Sequence, residues 1–134
     1  RDRLRFVLEG IEDFGRDDKV EQWCPTNLTV EHVMPQHWSS NWPISDDPTG
    51  ERTLERNNLI HTLGNLSLVT NRLNPSLSNS AWDEKRVTLR EHSVLLLSDD
   101  LLANQTWDEE AILKRGRRMA DAVCKIWPRP ASPT

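Results

Sequence analysis

A glutamate and a histidine that are adjacent in the sequence, Glu31 and His32, are the residues best suited to chemistry in this chain. An imidazole can take a proton from water near neutral pH. A carboxylate is a natural ligand of a hard divalent cation, and an amide oxygen is a suitable second ligand. The pair therefore suggests metal-assisted hydrolysis, provided that a carboxamide from elsewhere in the chain reaches the same place.

Asparagines downstream could supply that carboxamide. Asn65 lies inside an apolar segment beside Gly64, which lets another segment approach closely. A buried amide there needs partners, and holding the imidazole of a nearby histidine would satisfy it and fix the tautomer. Asn71 and Asn74 follow in a turn-rich segment, where asparagine is also a common turn residue.

Two short strands are predicted to carry these groups. Residues 28–34 are rich in β-branched side chains and end before Pro35, and residues 63–69 alternate apolar with small or polar side chains. Between them, residues 36–58 contain prolines, a glycine and several aspartates and serines, which predicts a long irregular loop. Neighbours on a regular strand point to opposite faces, so the adjacent glutamate and histidine share a site only if the first strand bends near its proline.

Helices are predicted on both sides of a central core of about residues 28–92. The spacing of apolar residues predicts an amphipathic helix over about residues 2–14. A helix over about residues 81–91 is predicted inside the core, with Ser78 or Ser80 as its N-cap.

A further helix is predicted over about residues 107–127. Residues 106–109, Thr-Trp-Asp-Glu, fit a capping box that would begin it. Its apolar face is predicted to comprise Ile112, Met119, Ala120, Val123, Cys124 and Trp127. Prolines then end the helix and leave residues 128–134 as a Pro-rich tail, so residues 1–127 are predicted to form a single domain.

Composition and charge exclude several classes of protein. The chain has 134 residues, of which 36% are hydrophobic and 28% charged, so it is neither fibrous, collagen-like nor wholly disordered. The net charge of -4 argues against a protein held on nucleic acid by bulk charge alone. Residues 1–70 carry 7 basic and 12 acidic side chains, whereas residues 71–134 carry 10 and 9, so a polyanion would be met mainly by the second half.

The two cysteines, Cys24 and Cys124, are far apart, which excludes a four-thiolate zinc site and a disulfide scaffold and favours free thiols in a reducing compartment. The longest apolar run, residues 94–97, is far too short to span a membrane, and no secretory signal is visible. Because the first residue is arginine, we expect a C-terminal fragment of a longer protein.

Taken in order, these motifs resemble those of a known family. Residues 31–35 (Glu-His-Val-Met-Pro), residues 63–66 (Leu-Gly-Asn-Leu), Leu73-Asn74, Ser78-Asn79 and Lys85 are similar to the C-terminal nuclease domain of GmrSD-type modification-dependent restriction endonucleases. That domain is an HNH (His-Me finger, ββα-metal) nuclease. The resemblance covers nearly the whole chain and implies an α+β fold, with a small ββα-metal core that contains a two-stranded hairpin and is flanked by additional helices.

The resemblance also implies roles for individual residues. His32 would be the general base that deprotonates water, and Asn65 would orient its imidazole. Glu31 and Asn74 would hold one divalent ion, Mg²⁺ or Mn²⁺, with Asn71 as the alternative to Asn74. No CxxC pair is present, which excludes the zinc-stapled subtype of the fold.

Phosphate contacts are expected from cations near the site and on the last helix. The resemblance implies one for the lysine that begins the second predicted helix; for the last helix, a solvated polar face is the alternative. The residues expected to bind DNA are Arg72, Lys85, Arg86, Arg117 and Arg118. His61, just before the second strand, is a further residue that could line the site.

The function expected from the resemblance is metal-dependent endonuclease activity on DNA, in particular modified phage DNA, in the cytoplasm of a prokaryote. A separate N-terminal NTPase or sensor domain, in the same protein or complex, would regulate it, and no membrane is involved. One alternative is a catalytically inactive module that binds DNA or a partner in a defence complex. Another is a structural domain whose histidines and asparagines only pack and cap.

Overall fold

A computed structural model of the chain describes residues 2–16, 27–73 and 77–130. In chain order, the described elements are helix α1 (Asp2–Gly15), strand β1 (Leu28–His32), helix α2 (Glu51–Leu59), strand β2 (Leu66–Thr70), and helices α3 (Trp82–His92), α4 (Leu96–Leu102) and α5 (Glu109–Ile126). Short 3-10 turns lie at Trp38–Ser40 and Leu63–Asn65. The predicted α+β fold, a two-stranded hairpin with flanking helices, is confirmed.

The register of the hairpin fixes which residues lie near His32. The strands are antiparallel; His32 pairs with Leu66 at one end, and Leu28 pairs with Thr70 at the other. Because a strand rises about 3.3 Å per residue, the two ends are roughly 13 Å apart. A long connection joins the strands in place of a tight turn, so packing against the helices must hold the register.

Buried side chains form two clusters, one on each face of β2. Leu66 and Leu68 belong to one cluster and Val69 to the other, as strand alternation requires. The Val69 cluster contains three of the six tryptophans, which are Trp38, Trp82 and Trp107. The other cluster joins α1, α4 and α5 to the hairpin. The hairpin is therefore held between two hydrophobic layers.

Helix α2 replaces part of the loop predicted over residues 36–58. The carboxylate of Asp47 accepts hydrogen bonds from the backbone N–H groups of Arg52 and Thr53, both at 3.0 Å. The Thr53 hydroxyl also donates to it, and this bond is the main cause that holds the pKa of Asp47 below its ordinary value. The buried residue of α2 is Arg56, so the segment has no apolar stripe that could have predicted a helix.

The predicted helix caps are wrong. Ala81 occupies the N-cap position of α3 and makes no side-chain hydrogen bond, so neither predicted serine caps this helix. The N-cap of α5 is Asp108, which accepts from the N–H of Ala111 at 2.9 Å. The capping box that was predicted to begin at Thr106 is therefore not formed, and the helix starts two residues later.

The buried face of α5 differs in part from the prediction. Ile112 and Met119 are buried as predicted, but Arg115 completes the face. Three residues predicted on this face are exposed, namely Ala120, Cys124 and Trp127. Cys24 lies outside the described residues. None of the helices within residues 2–16, 27–73 and 77–130 has the length and apolar character needed to cross a membrane.

Candidate active site

A cleft of about 290 Å³ lies at the end of β1, and both Glu31 and His32 line it. The strand ends at His32, so the alternation of faces does not separate the two side chains here. Leu4 of α1 also lines the cleft, which brings the first helix to its edge. Four further polar residues line it: Gln36, His37, Ser78 and Asn79. Sequence reasoning gave these four no role in the site, although Ser78 and Asn79 belong to the motifs that carry the family resemblance.

Lys85 of α3 binds the residues of this cleft from within the protein. Its ammonium donates to Oε1 of Glu31 at 3.1 Å, to the carbonyl of His32 at 3.0 Å and to the carbonyl of Ser78 at 3.4 Å. Lys85 is only 1% exposed and Glu31 only 8%. Lys85 is thus a buried cation that fixes the backbone of the cleft, whereas the resemblance implied a phosphate contact for it.

Burial dominates the electrostatics of the Glu31–Lys85 pair. Removal from water raises the pKa of Glu31, although attraction to Lys85 and their hydrogen bond partly lower it. The same desolvation lowers the pKa of Lys85 against the attraction of Glu31. The desolvation of both groups therefore outweighs their attraction, which is common for buried ion pairs. Such perturbed pairs beside a cleft are typical of functional sites.

Asn65 is completely buried in the turn before β2. Its Oδ1 accepts from the N–H of Met34 at 2.8 Å and from the indole N–H of Trp107 at 2.9 Å. Its Nδ2 donates to the carbonyls of Met34 and Ile60, both at 2.9 Å. These four bonds use the full capacity of a carboxamide. The side chain of Asn65, which the resemblance implied would orient the imidazole of His32, thus fixes the backbone that follows this histidine.

His61 contacts the imidazole of His32. The centroids of the two rings are 5.4 Å apart, and the rings are nearly perpendicular, at 88°. His61 is exposed and directly precedes Thr62 and the turn that leads into β2, whereas His32 is half-buried. The turn before β2 therefore brings a second imidazole to the histidine of the cleft, although His61 is not itself among the residues that line it.

The arginines predicted to bind DNA lie in different surroundings. Arg72 is exposed just beyond Thr70, at the end of the hairpin away from His32. Arg86 is half-buried and donates to the carbonyl of Leu102 at 3.4 Å. Neither side chain is therefore both exposed and close to the cleft, as the DNA-binding prediction required.

Arg117 and Arg118 are neighbours on α5 with opposite environments. Arg118 forms an ion pair with Asp100 at 2.8 Å. Arg117 is exposed and forms no ion pair or hydrogen bond with any residue in the described ranges. It lines a groove between α5 and the turn before β2, which also contains Thr62 and Gly64. The structure thus separates two cations that the sequence analysis treated alike.

The predicted metal ligands lie only partly within the described residues. Glu31 lines the cleft, but Asn74 lies outside the described residues. Asn71, the alternative ligand, is exposed next to Thr70, at the end of the hairpin away from the cleft. Among residues 2–16, 27–73 and 77–130, no group of three or more His, Cys, Asp or Glu side chains could hold a metal ion. A cation at Glu31 would therefore need amide, backbone or substrate oxygens as its other ligands.

One protein family matches this chain. Its model, described as the C-terminal domain of GmrSD restriction endonucleases, matches residues 1–122. No curated protein and no solved structure matches the chain. The matched range includes all the described elements up to most of α5, together with the whole cleft.

Proposed function

Since the chain belongs to the family of GmrSD restriction endonuclease C-terminal domains, we propose that it is the nuclease domain of a prokaryotic restriction system and hydrolyses phosphodiester bonds of DNA. The observation that carries this proposal is the placement of Glu31 and His32 in one cleft at the end of β1. In metal-assisted hydrolysis of a phosphodiester, an imidazole can act as the general base and a carboxylate can hold the metal ion.

In this mechanism His32 accepts the proton of the attacking water. Two contacts hold the backbone that carries its imidazole. Lys85 binds the carbonyl of His32 at 3.0 Å, and Asn65 binds both backbone groups of Met34. The ring therefore projects from a rigid segment, and the edge-to-face contact with His61 limits its rotation. This rigidity is what a base needs to meet water at a fixed distance.

We further propose that Glu31 and Asn74 hold one Mg²⁺ or Mn²⁺ ion. Oε1 of Glu31 is bound to Lys85, whereas its Oε2 accepts no hydrogen bond from any residue in the described part of the chain, which leaves one carboxylate oxygen for a cation. When bound, such an ion would stabilise negative charge on the scissile phosphate and on the departing 3′ oxygen. In this proposal Lys85 has two roles. It neutralises the charge of Glu31, and it positions this carboxylate as a ligand of the cation.

A second candidate function is a catalytically inactive module that binds DNA or a partner protein. The observation that favours it is the pairing of Glu31 with Lys85, since a neutralised carboxylate attracts a divalent cation less strongly than a free one. The two candidates differ in one measurable property, which is whether bound DNA is cut.

The test is a plasmid-nicking assay with the complete chain in Mg²⁺ or Mn²⁺, and again with a chelator. We expect metal-dependent nicking, and we expect His32→Ala to lower its rate by roughly 10²–10⁴-fold, the usual contribution of a general base. His92→Ala is the matched control, because this histidine is exposed at the end of α3, outside the cleft. Undiminished nicking by His32→Ala would remove His32 from the mechanism, and binding without nicking would favour the inactive module.

A further inference from the structure

The segment that precedes β2 connects the histidine of the cleft to a second groove. His61 touches the ring of His32, and the next residue, Thr62, lines the groove against α5. Both His61 and Thr62 are exposed. The groove has a volume of about 310 Å³, and Arg117 is the charged residue among those that line it. A ligand that leaves the cleft past His61 would therefore meet this groove next.

A close approach of two glycines fixes the groove beside the cleft. A Cβ atom on Gly64 would lie 2.0 Å from the carbonyl oxygen of Ile112 and 2.9 Å from the Cα of Gly116. Only glycine fits at position 64, so α5 packs directly against the turn that leads into β2. Because Arg117 follows Gly116, its position relative to His61 is set by backbone contact and not by a flexible loop.

The charge of this groove differs from that of the groove on the other side of α5. None of the residues that line the Arg117 groove is acidic. Arg118, by contrast, lines a groove of about 270 Å³ together with Glu12 and Asp100, and Asp100 neutralises it at 2.8 Å. A polyanion would be attracted to the unpaired cation of the first groove, whereas the cation of the second groove is already paired with a carboxylate.

We infer that the DNA strand that enters the cleft continues over His61 and Thr62 into the groove beside α5, where Arg117 contacts one of its phosphates outside the cleft. Arg118 makes no such contact. This inference rests on the proposed function for the identity of the ligand, and it adds the direction in which the strand leaves the cleft. Contacts of this kind set the position of the strand and carry no sequence information.

The test measures binding without cleavage. The complete chain, Arg117→Gln and Arg118→Gln are titrated onto a labelled duplex oligonucleotide in a chelator, by fluorescence anisotropy at several salt concentrations. Loss of one phosphate contact lowers the slope of log affinity against log salt by about 1 and weakens binding roughly fivefold to tenfold at about 0.1 M salt. We expect this change for Arg117→Gln, and for Arg118→Gln an unchanged slope and an affinity within about twofold of the unmodified protein.

Arg118→Gln is a close control, since it removes the same charge from the adjacent, also exposed position. Equal effects of the two substitutions would show attraction by net charge and overturn the inference, as would an unchanged slope for Arg117→Gln or no binding by the unmodified chain. The nicking assay tests the nuclease activity separately from this inference. A chain that binds DNA through Arg117 but cuts nothing would support the inference and refute the proposed nuclease activity.

Discussion

Lys85 and Arg115 are two buried cations that bind the hairpin in the same manner at different places. Each pairs with one carboxylate and donates to backbone carbonyls. Lys85 binds Glu31 and the carbonyls of His32 and Ser78. Arg115 binds Asp100 at 3.1 Å and the carbonyls of Gly64, Leu66 and Leu97 at 2.9, 2.7 and 3.4 Å. The difference lies in what surrounds the partners.

All three partners of Lys85 line the cleft, whereas Arg115 is 0% exposed and ties α5 to the segment that leads into β2. Burial lowers the pKa of Arg115 to about 10, so the guanidinium stays charged near neutral pH. At the cleft, desolvation instead raises the pKa of Glu31 and lowers that of Lys85. The same arrangement thus supports the fold at one place and, at the other, holds Glu31 and Lys85 together beside the candidate active site.

The largest effect is expected from Arg115→Met. The substitution removes the donor that three carbonyls share, and each buried acceptor left unsatisfied costs about 1–3 kcal/mol, so a loss of about 3–5 kcal/mol is expected. The measurement is the free energy of unfolding from urea denaturation. Arg118→Met is the control, because this side chain is 55% exposed and also pairs with Asp100; a loss below about 1 kcal/mol is expected for it. Equal losses would show that burial of Arg115 does not matter.

A smaller loss of stability, about 2–3 kcal/mol, is expected from Lys85→Met, which leaves the Glu31 carboxylate unpaired in a partly hydrated cleft. Adding Glu31→Gln to this variant removes the unpaired charge, and we expect the double variant to come within about 1 kcal/mol of the unmodified protein. Urea denaturation of all four proteins gives the coupling energy between the two positions. A double variant as unstable as Lys85→Met alone would show that Lys85, like Arg115, mainly stabilises the fold.

The smallest effect concerns pH. Because the folded protein raises the pKa of Glu31 above its ordinary value of 4.5, the folded state holds this proton more tightly than the unfolded chain does. As the pH rises from 4.5 through the raised pKa, Glu31 therefore lowers the stability. Glu31→Gln removes this contribution, so the stability of the variant relative to the unmodified protein should increase with pH in this window. Glu91→Gln is the control, since Glu91 is exposed; a constant difference for Glu31→Gln would contradict the expectation.

Much of the fold could be predicted from the sequence because most elements carry a local signal. Apolar spacing indicated α1 and α5, and β-branched residues indicated β1. Helix α2 lacks such a signal, since Leu54 is exposed and Arg56 is buried. Its partners lie outside the helix: Glu109 and the carbonyl of Trp42 bind Arg56. A helix held by distant polar contacts leaves no periodic pattern.

The sequence predicted which residue types form the site, but not their hydrogen-bond and ion-pair partners. The apolar neighbours of Asn65 correctly indicated a buried amide, but its bonds to Met34 and Trp107 join positions 31 and 42 residues away. The sequence likewise predicts a surface cation at Lys85, because Glu31, its partner in the ion pair, lies 54 residues away in the chain. Only the structure shows that these side chains bind other groups of the protein.

The bond from Trp107 to Asn65 has a consequence for how far the site can be treated as a separable module. A segment of residues 28–92 would include Glu31 and the imidazoles of His32 and His37, which line the cleft. It would include neither the indole of Trp107, which donates to Asn65, nor the guanidinium of Arg115. Its hairpin would lack both anchors from the C-terminal half. The smallest autonomous unit therefore extends through α5, and grafting the short motif onto another scaffold would transfer the reactive groups without their support.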